Sequence, residues 1–175
     1  MESFDPINHQ GEHPPRVFPA TAHTNPEPAP VITEAHRRLE PFIGTWKVAG
    51  HESGAAPNAP TTPVTGEESY TWLPGRFFLL GHWDHRVGSD HHIGLNIIRY
   101  DATTEQYSSY NVDNLGFART YRVTQREGVW SFTGDWERAT WAFGHDGQTM
   151  TIDWEITSDG ETWEPLCHLD ATKQS

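Results

Sequence analysis

A single cysteine, Cys167, stands among 175 residues. No intramolecular disulfide can form, and a cysteine-based zinc site is excluded. Long apolar runs are missing too. No window approaches the ~18 consecutive apolar residues of a membrane-spanning helix. Basic residues are scarce: 12 Lys and Arg stand against 24 Asp and Glu, for a formal net charge of -12. Phosphate backbones and anionic membrane surfaces both require positive charge, so neither nucleic acid nor membrane is expected as a partner. The N-terminus lacks the basic start and apolar run of a signal peptide. Without disulfides to protect, a reducing compartment suits the chain, and the expected location is cytoplasmic. There is no P-loop, GxGxxG, HExxH or GxSxG spacing to point at a nucleotide, zinc-protease or serine-hydrolase site.

Aromatic side chains are abundant, with eight Trp, eight Phe and five Tyr. Large rings bury much area per residue and also line small-molecule pockets. Residues 1–32 carry seven of the thirteen prolines and three histidines, His9, His13 and His23. Proline removes backbone donors and restricts its neighbour, so this stretch reads as an extended or disordered tail. The domain proper then spans 33–175. Thr33 is placed to cap a short helix over Glu34–Glu40, which Pro41 stops. A first strand begins in PFIGTWKVAGH, and residues 53–63 read as a long, mobile flap.

From Val64 the pattern is regular. Strands are predicted near 64–73, 76–87, 91–100, 105–113, 116–125, 128–136, 138–145, 148–157 and 161–171. Between them lie turn signals such as Gly88-Ser89, Glu127-Gly128 and Ser158-Asp159-Gly160. With the first strand this makes ten, tightly linked in succession: an all-β antiparallel meander. An open ten-stranded sheet would leave two long aromatic edges, and closure into an up-and-down barrel removes them. A barrel of that size should enclose a cavity. A two-sheet sandwich is the alternative.

Alternation assigns faces within each strand. Trp130, Phe132, Gly134 and Trp136 share one; Trp141 and Phe143 another; Met150, Ile152, Trp154 and Ile156 a third. Phe117, Arg119, Tyr121 and Val123 form a fourth, and all four sets should face inward. The segment Arg76 to Asp101 reads as a hairpin turning at Val87-Gly88-Ser89-Asp90, and it holds four of the eleven histidines. Its register sets Arg86 opposite His91, His85 opposite His92, and Asp84 opposite Ile93. One face then carries Phe77, Leu79, Trp83, His85, His92, Asn96 and Ile98; the other carries His82, Asp84, His91 and the remaining apolar residues. Periodicity leaves open which face is inside.

Histidine pKa values lie near neutrality, so His85 and His92, or His82 with Asp84, are candidate acid–base groups. A cross-strand histidine pair supplies two metal ligands where catalytic zinc usually needs three, so no metal is expected. Arg119 beside Tyr121 is the sharper electrostatic clue. An inward arginine must be paired, either with an oxygen of a ligand or with Asp113 or Glu68. The expected ligand-binding set is Trp72, Phe77, Trp83, Asn96, Phe117, Arg119, Tyr121, Trp130, Trp141 and Trp154.

Several segments together resemble the DUF1579-type bacterial proteins of unknown function, which are placed among calycin-like β-barrels. These are Gly44-Thr45-Trp46 after a short helix, YTWLPGRFFLLGHWD, RYD, VDNLGFARTY, a Asp146-Gly147 pair before TMTIDWE, and DGETWEPL. The likeness covers roughly residues 33–173 and implies the barrel fold. More distantly, Gly44, Trp46 and Gly50 resemble the Gly-x-Trp-x-Gly-x-Gly opening of the haem-binding nitrobindins, with Val48 at one glycine position. That likeness implies His168 as a proximal haem ligand. Arg119-Thr120-Tyr121 is similar to the Arg-x-Tyr pair of fatty-acid-binding proteins, on a middle strand rather than near the C-terminus.

Three functional expectations follow. The first is a barrel that binds a small, apolar and acidic ligand without a cofactor. The second is a cofactor-free isomerase, cyclase or lyase, with His or Asp moving a proton and Arg119 and Tyr121 stabilising charge. The third is a haem barrel. A homodimer through an outer aromatic face is also compatible with the composition.

Overall fold

A computed structural model describes residues 30–54 and 59–175. The proline-rich tail with His9, His13 and His23, and the middle of the 53–63 flap, fall outside these residues or on their border. The chain enters through α1 (Glu34–Arg37) and a 3-10 turn at Glu40–Phe42. Ten strands follow: β1 (Gly44–Glu52), β2 (Thr62–Trp72), β3 (Phe78–Val87), β4 (Asp90–Asp101), β5 (Gln106–Asp113), β6 (Ala118–Arg126), β7 (Val129–Thr133), β8 (Glu137–Phe143), β9 (Thr149–Ile156) and β10 (Glu164–Lys173). Each pairs antiparallel with the next, and β10 pairs with β1, so the barrel is closed. No helix among the described residues is long and apolar enough to cross a membrane.

The β3–β4 hairpin has the register its turn predicts: Val87 faces Asp90, Arg86 faces His91 and His85 faces His92. Gly88 takes the left-handed conformation the turn requires, at φ 59°. Burial decides the question that periodicity left open. Leu79, His85, Asn96 and Ile98 are buried, whereas Leu95 and Ile97 are exposed, so the His85 face is the inner one. Glycines make room on that face. A Cβ at Gly94 would lie 2.0 Å from the Trp83 ring, and one at Gly81 would lie 2.1 Å from Asn96 Oδ1. Both side chains therefore lie over bare backbone across the strand.

Two expectations need correction. The helix is shorter than Glu34–Glu40, because the chain tightens into the 3-10 turn carrying Pro41. Strand β7 stops at Thr133 rather than 136: the Gly134 N–H bonds to the Glu137 carbonyl at 2.9 Å and turns the chain. Trp136, expected inside, is 61% exposed.

One end of the barrel is plugged. Phe42 is fully buried, and its ring lies 4.9–5.6 Å from those of Tyr70, Trp130, Trp141 and Phe143. Its carbonyl accepts the Trp46 indole N–H at 2.8 Å. The helix is tied down above it. Tyr107 donates its hydroxyl to the Ala35 carbonyl at 2.7 Å, and buried His36 packs edge-on against Phe77 and Tyr100. Truncating Phe42 to Ala should cost about 3–5 kcal/mol, the usual loss for a large core ring, whereas Ile97→Ala on the outer face should cost about 1 kcal/mol or less. Urea unfolding of the two variants against the parent checks both values.

Candidate functional site

Because strands alternate in direction, β1, β3, β5, β7 and β9 run from the plugged end toward the other, and the even-numbered strands return. The unplugged end holds a cavity of about 580 Å³. Its wall takes in Tyr70, Trp83, Trp141 and Trp154, with aliphatic residues such as Val64 and Leu169. Tyr70 and Trp141 also touch Phe42, so the plug supports the cavity floor.

Two polar clusters stand in this wall. In the first, Tyr70 donates its hydroxyl to Glu68 Oε2 at 2.7 Å, and His85 Nε2 lies 3.3 Å from Glu68 Oε1. The His85 contact is close enough for charge attraction but is not aligned for a hydrogen bond. Burial, then the Glu68 charge, hold the Tyr70 phenol well above its ordinary pKa. In the second, Arg119 bridges two carboxylates, Asp113 Oδ2 at 3.2 Å and Glu137 Oε1 at 3.2 Å. Its guanidinium lies 4.1 Å from the centroid of the Phe117 ring. Tyr121 donates to Glu137 Oε2 at 2.8 Å; burial first, then this carboxylate, raise its pKa. His92 Nε2 is 3.6 Å from Asp113 Oδ2, and its ring meets Trp83 edge-on. Burial works to raise the Asp113 pKa, but the Phe117 and Leu115 N–H groups and His92 bring it below the ordinary carboxylate value.

Five side chains of the cavity wall carry a buried polar atom with no hydrogen-bond partner among the described residues: Trp83 Nε1, His85 Nε2, His92 Nε2, Asn96 Oδ1 and Trp141 Nε1. Buried polar groups are ordinarily paired, and each exception carries a cost. Each of these atoms is itself out of contact with the cavity space, so they lie within the packing of its wall.

Of the residues singled out in the sequence, His85, His92, Trp83, Asn96, Phe117, Arg119, Tyr121, Trp141 and Trp154 all line this cavity. Trp72, Phe77 and Trp130 do not. They sit at the plugged end, Trp130 against Phe42 and Phe77 against His36. Alternation assigns a face but not a depth along the strand. Asp84 faces outward, where its carboxylate lies 2.5 Å from His91 Nε2 at the cavity mouth. The hydrogen bond to His91 is the chief reason its pKa lies below the ordinary value. Arg119 is held by Asp113, as one expectation had it, but by Glu137 rather than Glu68. Its charge is therefore already met twice, which leaves it a poor receptor for a ligand carboxylate.

His168 lies on the outer side of β10, opposite His51 and Asp153. Its Nδ1 is 2.6 Å from Asp153 Oδ1. That hydrogen bond, then the charge of Asp153, raise its pKa. It offers no axial nitrogen to the interior, so the residue that would hold haem by the nitrobindin likeness does not fit the group. Glu68, Tyr70 and Glu137 escaped the sequence reading as site residues. Glu68 and Tyr70 carried a signal, because Val64, Gly66, Glu68, Tyr70 and Trp72 alternate on one face of β2. Glu137 carried none, since its placement depends on the turn at Gly134.

The fold and site together define a closed, ten-stranded antiparallel barrel of the calycin-like type, plugged at one end and hollow at the other. The model for "Protein of unknown function (DUF1579)" matches residues 32–165, and the chain belongs to that family. No curated protein matches it. Among solved structures, Rv2717c from M. tuberculosis aligns with a TM-score of 0.60 at 13% identity, covering 83% of this chain and 100% of that one. At that identity the likeness concerns the fold alone. The structure of an S-type phycobiliprotein lyase from Guillardia theta aligns with a TM-score of 0.49 at 8% identity, covering 82% of this chain and 94% of that one; it carries no weight for the site.

Two measurements follow from the site's electrostatics. Burial, then Glu52, push the Cys167 thiol up to about 12. Cys167 should therefore resist iodoacetamide at pH 8 in the native protein and react once urea unfolds it; rapid native labelling contradicts this. His168 should titrate above its ordinary value by NMR, and Asp153→Asn should lower it. A raised folded-state pKa gives stability that is full below the unfolded-state pKa of about 6.5 and is lost as pH rises through the folded-state value. The pair is exposed, so its worth is about 1 kcal/mol or less. The stability gap between parent and Asp153→Asn should close on the alkaline side.

Proposed function

We propose that this protein is a small-molecule-binding barrel whose ligand occupies the cavity at the unplugged end. One observation carries the reading: a cavity of about 580 Å³ is lined by Trp83, Trp141 and Trp154 and holds the Glu68–Tyr70–His85 and Asp113–Arg119–Glu137 clusters. Small-molecule sites are concave, mostly apolar and furnished with a few convergent polar groups, and this cavity has that make-up. Trp83, Trp141 and Trp154 supply apolar contact, while His85, His92 and Asn96 supply orientation. The reading requires no cofactor.

A second reading, a cofactor-free isomerase, cyclase or lyase, draws on the Tyr70–Glu68–His85 arrangement. A histidine held beside a buried carboxylate is a suitable proton carrier, and the dry aromatic wall would strengthen any charge that develops. Native mass spectrometry of the protein as isolated separates the two readings. A binder releases one unmodified small molecule. An enzyme converts the released molecule, or its precursor, at a rate that His85→Ala lowers while the barrel stays folded. With a bound ligand in hand, Trp154→Ala should weaken affinity roughly ten- to hundredfold, the loss of about 1–3 kcal/mol for an aromatic wall. Unchanged affinity would move the ligand out of this cavity.

A further inference from the structure

We infer that the ligand of this cavity is a ring-bearing amine, bound as its ammonium ion, an inference that rests on the binding reading above. Charge is the first ground. Five carboxylates belong to the wall, those of Glu52, Glu68, Asp90, Asp113 and Glu137, against one guanidinium, that of Arg119. Even with His85, His91 and His92 all protonated, four positive charges would face five negative ones. Tyr70 and Tyr121 donate hydrogen bonds to Glu68 and Glu137, but neutral hydroxyls remove no charge. Arg119 is divided between Asp113 and Glu137. An anionic ligand would enter a surplus of its own sign in a partly desolvated space, where charges interact more strongly than in water.

The aromatic wall is the second and independent ground. The faces of Trp83, Trp141 and Trp154 suit a cation as well as a ring, because the indole quadrupole attracts positive charge. The charge balance points away from the acidic ligand first expected, a reading that rested on an arginine free to receive it.

The test uses three probes of one ring system and different charge: naphthylethylamine, naphthylacetamide and naphthylacetate. Their binding to the full chain is followed by tryptophan fluorescence and calorimetry at pH 7. The amine should bind tightest, about tenfold or more above the acetate, and only its affinity should fall with added salt. In the double variant Glu52→Gln/Asp90→Asn, whose side chains lie outside both buried clusters, the amine should lose affinity and the amide should not. Acetate or amide binding as tightly as the amine overturns the amine inference and leaves the binding reading standing. If none of the three binds and native mass spectrometry finds no ligand, the binding reading falls and the amine inference with it.

Discussion

The plug at Phe42 is the constraint on which the rest of the barrel depends. A ten-stranded barrel is too wide for strand side chains alone to fill throughout its length. The chain solves this at one end by leading in with α1 and the 3-10 turn, which drop Phe42 onto the barrel axis among Tyr70, Trp130, Trp141 and Phe143. The bond from the Trp46 indole to the Phe42 carbonyl fixes the insertion within four residues of chain. On the helix side of this layer inward side chains such as Trp130 and Tyr107 pack as core. Among the described residues nothing fills the space beyond it, and the cavity is the remainder of a plug inserted from the other side.

The same division separates the polar chemistry. At the plugged end the Tyr107 hydroxyl reaches the Ala35 carbonyl and His36 Nδ1 accepts from the Thr33 N–H, and the Trp72 indole N–H alone among the described buried side chains there lacks a partner. At the hollow end, carboxylates are held in clusters by Tyr70, Tyr121 and Arg119, while five polar atoms stay unpaired. Arg119 is the instructive case. Read as one residue it looks like an anion receptor. Placed between Asp113 and Glu137 it becomes the counter-ion that lets two carboxylates lie close together, and the surplus of negative charge remains.

Much of this was legible from the chain alone, and the limits have physical causes. Ten strands and their closure follow from turn chemistry and period-two alternation, and the hairpin register follows from a two-residue turn with a left-handed Gly88. These are local rules acting over a few residues. The shortening of β7 was hidden because Gly134 ends it by bonding across to Glu137, a contact with no footprint in the alternation of Trp130 and Phe132. Depth was hidden for a different reason. Trp130 and Trp141 face inward on adjacent strands and pair directly in register, yet only Trp141 reaches the cavity wall. Phe42 touches both rings; what distinguishes them is their other neighbours, Tyr107 for Trp130 and Tyr70 and Phe132 for Trp141. The sign of the site's charge was hidden as well, because Arg119, Asp113 and Glu137 converge only after β5, β6 and β8 are placed.

An unpaired buried polar atom costs about 1–3 kcal/mol, and a domain's whole stability is only about 5–15 kcal/mol. Five such atoms at one end are therefore a considerable burden, and the dense aromatic packing at the other end offsets it. A ligand in the cavity would bind the folded chain and not the unfolded one, so the contacts that hold it would stabilise the barrel. The hollow half should then be the half whose stability responds to ligand, while the plugged half keeps its packing whether or not the cavity is filled. Packed core and hollow space are thus assigned to opposite ends of the same ten strands, with Tyr70 and Trp141 as the layer they share.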